Sequence, residues 1–224
     1  MKFFLLGQSN GDTNPRDQRG ETPLHWAAWN GHFHVCKLIL DNTCDKNPED
    51  NIGWTPLHAA AEKGHLAICH MIIKNIETNE SKKLSDKVLD KNKYLLWLWE
   101  AGFEEPLLAP QGGSELRNPG NRNGITPLHV AAQNGHLQVC KLLIQSTDDK
   151  NPKAKHDGTP LHYAAKMGHL DICKLIMENI SDKNPHDSFS KTPFKIAAEY
   201  GHQDICDLIT KKIKEQMASC DLIL

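Results

Sequence analysis

No charge of one sign dominates this sequence: 28 acidic residues stand against 26 basic ones in 224, a formal net charge of −2. That balance removes the electrostatic footprint of a nucleic-acid or anionic-membrane binder. No run approaches the roughly 20 apolar residues that span a bilayer. Met1–Leu6 opens like a secretion signal, but the apolar run stops at Gly7, short of the about 7–15 residues such a signal needs. Cys220 stands one place too far from the end for a prenylation box. A phosphate-binding loop, a Gly-x-Gly-x-x-Gly turn and a nucleophile elbow are also missing. These absences point to a non-catalytic protein that does not insert in membranes. The abundant chemistry is 13 histidines and seven cysteines, which on composition alone suggests a metal.

The histidines repeat. Thr-Pro-Leu-His occurs at Thr22–His25, Thr55–His58, Thr126–His129 and Thr159–His162, with an altered copy at Thr192–Lys195. Asn-Pro pairs begin at Asn14, Asn47, Asn118, Asn151 and Asn184. Both motifs recur at intervals of 33, 71, 33 and 33. Such a period marks stacked structural units.

In each unit Thr is a good N-cap and Pro suits the first helical position. The first unit predicts a short helix from Pro23 to about Asn30, a turn at Gly31, and a second helix from about His32 to Asp41. The second helix has Phe33, Cys36, Leu38, Ile39 and Leu40 as its apolar set. Asn47-Pro48 then stops the helix, and Asp50 with Gly53 supplies turn chemistry. One such pair cannot bury its own apolar face, but stacked neighbours form one continuous core.

The stretches Thr22–His32, Thr55–His65, Thr126–His136 and Thr159–His169 resemble the ankyrin repeat family. The resemblance implies an all-α solenoid of stacked helix-turn-helix units, about five repeats over 14–77 and 116–216. Lys2–Leu6 aligns with Ile172–Ile176, so 1–13 reads as a partial upstream repeat, as in a fragment of a longer protein. Residues 217–224 read as a tail after a polar last helix. Asn42, Asn75 and Asn179 stand where the family has glycine and are expected to take its left-handed cap. Gly158 directly before Thr159 predicts a different fourth turn, and Ser190 replaces a glycine in the fifth.

The 71-residue interval holds 38 residues beyond the period, 78–115. This insertion opens polar, carries Leu95–Trp99 and Phe103, and closes with Pro106, Pro110, Gly112 and Gly113. A helix near Lys87–Ala101 fits. Loops this long are functional or disordered. The apolar cluster is open to three readings: it folds back on the solenoid, it meets a partner, or it comes from a gene-model error.

Every unit also has a His-x-x-x-Cys pair, from His32/Cys36 to His202/Cys206. On a helix these share a face, and zinc accepts both types. Zinc wants four ligands, however, and equivalent residues on stacked helices lie roughly 8–10 Å apart, too far for a disulfide as well. The cysteine falls at an apolar position and packs as a small hydrophobe. The histidine of Thr-Pro-Leu-His reads as a hydrogen-bond bridge between units. No metal or cofactor is expected, and unpaired cysteines fit the cytoplasm or nucleus.

Function is sought where units differ while the frame is constant. After each Ala-Ala pair two residues vary: Trp29-Asn30, Glu62-Lys63, Gln133-Asn134, Lys166-Met167 and Glu199-Tyr200. The turn tips vary too, and carry Trp54 and Phe189. The resemblance implies that these positions, on the concave face and tips, bind a protein. Trp29, Trp54 and Tyr200 stand first, as hot-spot types; Trp26 and Tyr163 sit nearer the core. The expected role is a monomeric scaffold or adaptor for protein partners. The alternative is the recognition arm of a larger enzyme, channel or ubiquitin-ligase adaptor.

Overall fold

A computed structural model describes residues 14–78 and 118–221. Among them the regular structure is helical and the helices come in pairs. These are α1 (Pro23–Trp29) with α2 (Phe33–Asn42), α3 (Pro56–Glu62) with α4 (66–78), and α5 (Pro127–Gln133) with α6 (Leu137–Ser146). Then come α7 (Pro160–Met167) with α8 (Leu170–Asn179), and α9 (Pro193–Glu199) with α10 (Gln203–Asp221). The first helices stack in the order α1, α3, α5, α7, α9, and the second helices lie against them. The chain is an all-α stack of paired helices. The expected partial repeat over 1–13 and the helix near 87–101 lie outside the described residues. The expected tail from 217 is helical as far as Asp221, as a continuation of α10.

Thr and Pro start each first helix at the expected places. Each begins with an extended Thr and a Pro whose missing N–H is one of the orphans of a helix start. Leu24, Leu57, Leu128 and Leu161 form one fully buried column, and the Ala pairs let neighbouring first helices approach closely. The Asn of three Asn-Pro pairs does more than precede a helix breaker. Asn47 Oδ1 accepts the Leu57 N–H at 3.1 Å, Asn118 the Leu128 N–H at 3.1 Å, and Asn184 the Phe194 N–H at 3.0 Å. Each ties the incoming loop to a second orphan donor of the helix.

Two sequence expectations need correction. Phe33 and Leu38 are exposed, while Cys36 and Leu40 are fully buried. At about 100° per residue, Leu38 lies about 200° around the helix from Cys36 and faces away from the core. Asn42, Asn75 and Asn179 do not adopt the left-handed cap. Described non-glycine residues with positive φ are His156, Asp157 and Ser190. The asparagines instead donate Nδ2–H to the carbonyls of Leu38, Met71 and Leu175, four residues back, at 2.8–2.9 Å.

The ends of α2, α6 and α8 are closed by lysine. Lys46 Nζ donates to the Leu40 and Thr43 carbonyls, Lys150 Nζ to those of Ile144 and Thr147, and Lys183 Nζ to those of Met177 and Ile180. An ammonium there satisfies terminal carbonyls and faces the negative end of the helix dipole.

The insertion leaves the stack intact. α3 packs directly on α5, and the Arg122 N–H donates to the Ile52 carbonyl at 3.0 Å across the joint. Lengthening the closed loop from 33 to 71 residues costs only about 0.7 kcal/mol of extra closure entropy. Deleting 78–115 restores the 33-residue interval, so the product should keep a cooperative thermal transition by circular dichroism. A non-cooperative melt would make the insertion part of the fold. Lys150→Met should lower stability by about 1–2 kcal/mol, read as a reduced urea midpoint at constant slope. Lys155→Met, at an exposed tip, should change it by less than about 0.5 kcal/mol.

Candidate functional site

The positions that vary between units are held in place by two columns of histidine. In the first column, the Thr22, Thr55, Thr126 and Thr159 N–H groups donate to Nδ1 of His25, His58, His129 and His162 at 3.0–3.2 Å. With the Thr hydroxyl also near Nδ1, this is a capping box in which imidazole replaces the usual Glu or Gln. A backbone N–H only donates, so Nδ1 must accept and Nε2 must carry the proton. Nε2–H then donates to the carbonyl just before the next unit's Thr: Trp54, Ile125, Gly158 and Lys191, at 2.9–3.3 Å. Burial pushes the pKa of all four rings down, that of His58 and His129 to about 4.

The second column reaches back. His65, His136, His169 and His202 donate Nε2–H to the carbonyls of Trp29, Glu62, Gln133 and Lys166 at 2.8–3.2 Å. Each ring lies on the glycine that ends the preceding unit's first turn. A β-carbon on Gly64, whose φ is +73°, would stand 2.6 Å from His136 Nδ1. Glycine is required there both for the left-handed turn and for the approach of the ring.

The tips form a third connection. The Asn51, Arg122, Lys155 and Ser188 N–H groups donate to the carbonyls of Arg19, Ile52, Asn123 and His156 one unit earlier, at 2.7–3.0 Å. Asp17, Asp50, Asn121 and Asp187 each accept two tip N–H groups on Oδ1. In the fourth unit Ala154 replaces this group. The tip there becomes a 3-10 turn, Lys155–Asp157, with His156 at φ 62° and Asp157 at 58°. Ser188 Oγ–H donates to Asp157 at 2.6 Å and, with Lys153 nearby, holds that carboxyl below its usual pKa. Ser190 takes the positive φ of the glycine that it replaces.

The His-x-x-x-Cys pairs are not used as pairs. Cys36, Cys69, Cys140, Cys173 and Cys206 are buried, unbridged thiols. Burial pushes Cys69, Cys140 and Cys173 up to about 12 and Cys36 to about 11, away from the thiolate that a metal requires. Among the described residues no three His, Cys, Asp or Glu side chains group as a metal site, and no helix is long and apolar enough to cross a membrane.

Trp29, Glu62, Gln133 and Glu199 close their first helices, and Asn30, Lys63, Asn134 and Tyr200 are the caps; Lys166-Met167 end α7. The structure thus brings all ten into one row of helix ends. A second row is the tips, about 10 Å away along a seven-residue helix. Phe189 is 67% exposed, Tyr200 54%, Met167 49% and Trp29 37%. Lys63 Nζ lies 3.9 Å from the Trp29 ring centre and Lys166 Nζ 5.5 Å from that of Tyr200. Glu62 pairs with Lys63 and Glu199 with Lys191. Asn30 and Asn134 spend Nδ2–H on their own helices. Trp54 differs: it is half-buried and stacks on His58 at 4.8 Å. Phe189 stands against His156 at 5.2 Å, a contact with no signal in the repeat pattern.

A family model described as ankyrin repeats, in three copies, matches residues 1–82, 102–187 and 150–220. No curated protein matches the chain significantly.

The buried histidines impose a pH dependence. In the unfolded chain a histidine takes up its proton near pH 6.5, whereas folded His58 and His129 resist to about 4. Between these values the unfolded chain binds more protons. The stabilisation is therefore complete above about pH 6.5, is lost as pH falls toward 4, and changes no further below. The gap corresponds to about 3 kcal/mol per histidine. Urea midpoints from pH 7.5 to 4.5 should fall steeply, and His58→Gln with His129→Gln should flatten that slope.

Proposed function

The chain belongs to the ankyrin repeat family, and from that membership we propose that it is a non-catalytic scaffold or adaptor module. Repeats of this family generally serve protein–protein interaction. The proposed binding surface is the concave row of first-helix ends, extended by the tips. Trp29, Lys63, Met167 and Tyr200 form its centre, Asn30, Glu62, Gln133, Asn134, Lys166 and Glu199 its polar surround, and Phe189 and the open edge of Trp54 its tip contacts.

One observation carries this reading. At Trp29, Glu62, Gln133 and Lys166 the carbonyl is committed to a histidine of the following unit. The carbonyls of Trp54, Ile125, Gly158 and Lys191 are committed in turn to a histidine of the preceding unit. The backbone at these positions serves the stack, and side-chain identity is released for recognition. An aromatic ring already held under an ammonium loses little freedom when a partner covers it. Unbridged thiols throughout the core suit a reducing compartment, cytoplasm or nucleus.

A pull-down from lysate with the full chain, followed by mass spectrometry, identifies the partner. Against it, Trp29→Ala and Tyr200→Ala should each weaken binding roughly tenfold or more. Their melting temperatures should stay within about 2 °C of the parent. A large melting loss, or unchanged affinity in both variants, overturns the proposal.

A further inference from the structure

The second helices carry a surface of their own, apart from the first-helix ends and the tips. α4 forms the floor of a shallow groove of about 770 Å³, with α2 and α6 as its walls. Phe33 and Leu66 are exposed in it, Met71 and Leu142 are half-buried, and Ala67 is small. The polar lining is Lys37, His70, Lys74 and Lys141 with the amides of Asn75, Gln138 and Gln145, and it includes no carboxylate. That lack is local. At the places equivalent to Gln138, Lys141 and Gln145, α8 and α10 hold Asp171, Glu178, Asp204 and Asp207. The ion pairs among the described residues use Lys63, Lys153, Lys191 and Lys212. Lys37, Lys74 and Lys141 are exposed and belong to none of them.

An ammonium on each wall and a third on the floor select an occupant with carboxylates along both sides of an apolar stripe. The dimensions select a helix. With one helix between them, α2 and α6 stand roughly 16–20 Å apart, and a helix with its side chains is about 10–12 Å across. We propose that the groove is a second docking site, for an amphipathic helix of a partner protein whose apolar stripe is flanked by Asp or Glu. The floor runs from Leu66 to Asn75, about 14 Å along α4, so about three turns of the partner fill it. Apolar side chains of the partner at i, i+4 and i+7 lie on Leu66, Met71 and Leu142. Its carboxylates reach Lys37 on one wall and Lys141 on the other. A flat anionic bilayer would meet the lysines but leave a recessed floor empty. This surface is separate from the proposed concave site.

The probe is a labelled synthetic helix of about 15 residues, with leucine at i, i+4, i+7 and i+11 between two rows of glutamate. Its binding to the full chain in low salt is read by fluorescence anisotropy. The parent should bind it roughly tenfold or more tighter than a peptide with lysine for each glutamate. Lys37→Glu/Lys141→Glu should reverse that preference. The peptide swap on the parent alone remains decisive if this variant folds poorly. Trp29→Ala/Tyr200→Ala should bind the acidic helix as the parent does, which separates this site from the concave one. Equal affinity of the parent for both peptides, no binding of either, no reversal in the folded lysine variant, or loss of binding in the Trp29/Tyr200 variant overturns the proposal. So does sedimentation of the parent with phosphatidylserine vesicles, or a parent dimer in sedimentation velocity, if the lysine variant abolishes it. Those results would assign the groove to a membrane or to a second copy.

Discussion

The stack rests on neutral imidazole used at both ends. Each internal first helix is held by two rings: one at its N-terminus reaching forward to the next tip, one from the following unit reaching back to its C-terminus. Both ring nitrogens of the first column are engaged with protein groups, and the Thr N–H fixes which carries the proton. An imidazolium would have to break the bond to that N–H. The joints between units, the turn geometry and the position of every varying residue follow from this one protonation state. Eight of the 13 histidines form these columns, so most of the apparent metal signal of the composition is a joint counted once or twice per unit.

The separation of frame from recognition is a backbone-versus-side-chain division. The carbonyl of Trp29 and that of Gln133 do the same work, although one side chain is an indole and the other an amide. The fourth tip shows how far this goes. It lacks the carboxyl or amide that organises the others, adopts two consecutive left-handed residues, and still accepts the Ser188 N–H from the next unit on His156. Left-handed non-glycine residues cost of order 1–3 kcal/mol each, and the neighbouring unit holds them.

Helix pairing, helix starts and the stack were legible because the 33-residue period carries them in duplicate. The capping role of Asn47, Asn118 and Asn184 was visible as a register but not as a bond, since its partner lies ten residues on. The lysine caps were hidden in an Asp-Lys-Asn-Pro stretch that reads as a solvated loop. Asparagine as a left-handed cap failed at Asn42 and Asn179 because lysine closes the carbonyls there, and at Asn75 because the helix runs on to 78. At the candidate site, the row of varying helix ends was legible by comparing units. The stacking of Trp54 on His58 and the ammonium over Trp29 were not, because they depend on side-chain directions, within one unit for the first and between neighbouring units for the second, rather than on periodicity.

The joint between the second and third units has a broader meaning. Its bonds join residues 67 and 74 positions apart, His58 to Ile125 and His136 to Glu62, with the same partners as joints spanned by 29 and 36. The architecture reads neighbours in space and is indifferent to the path of the chain between them. A lineage built on such joints can acquire or discard foreign sequence at a seam while the rest of the molecule is unaffected. New surface can thus arise beside an old one without renegotiating the fold.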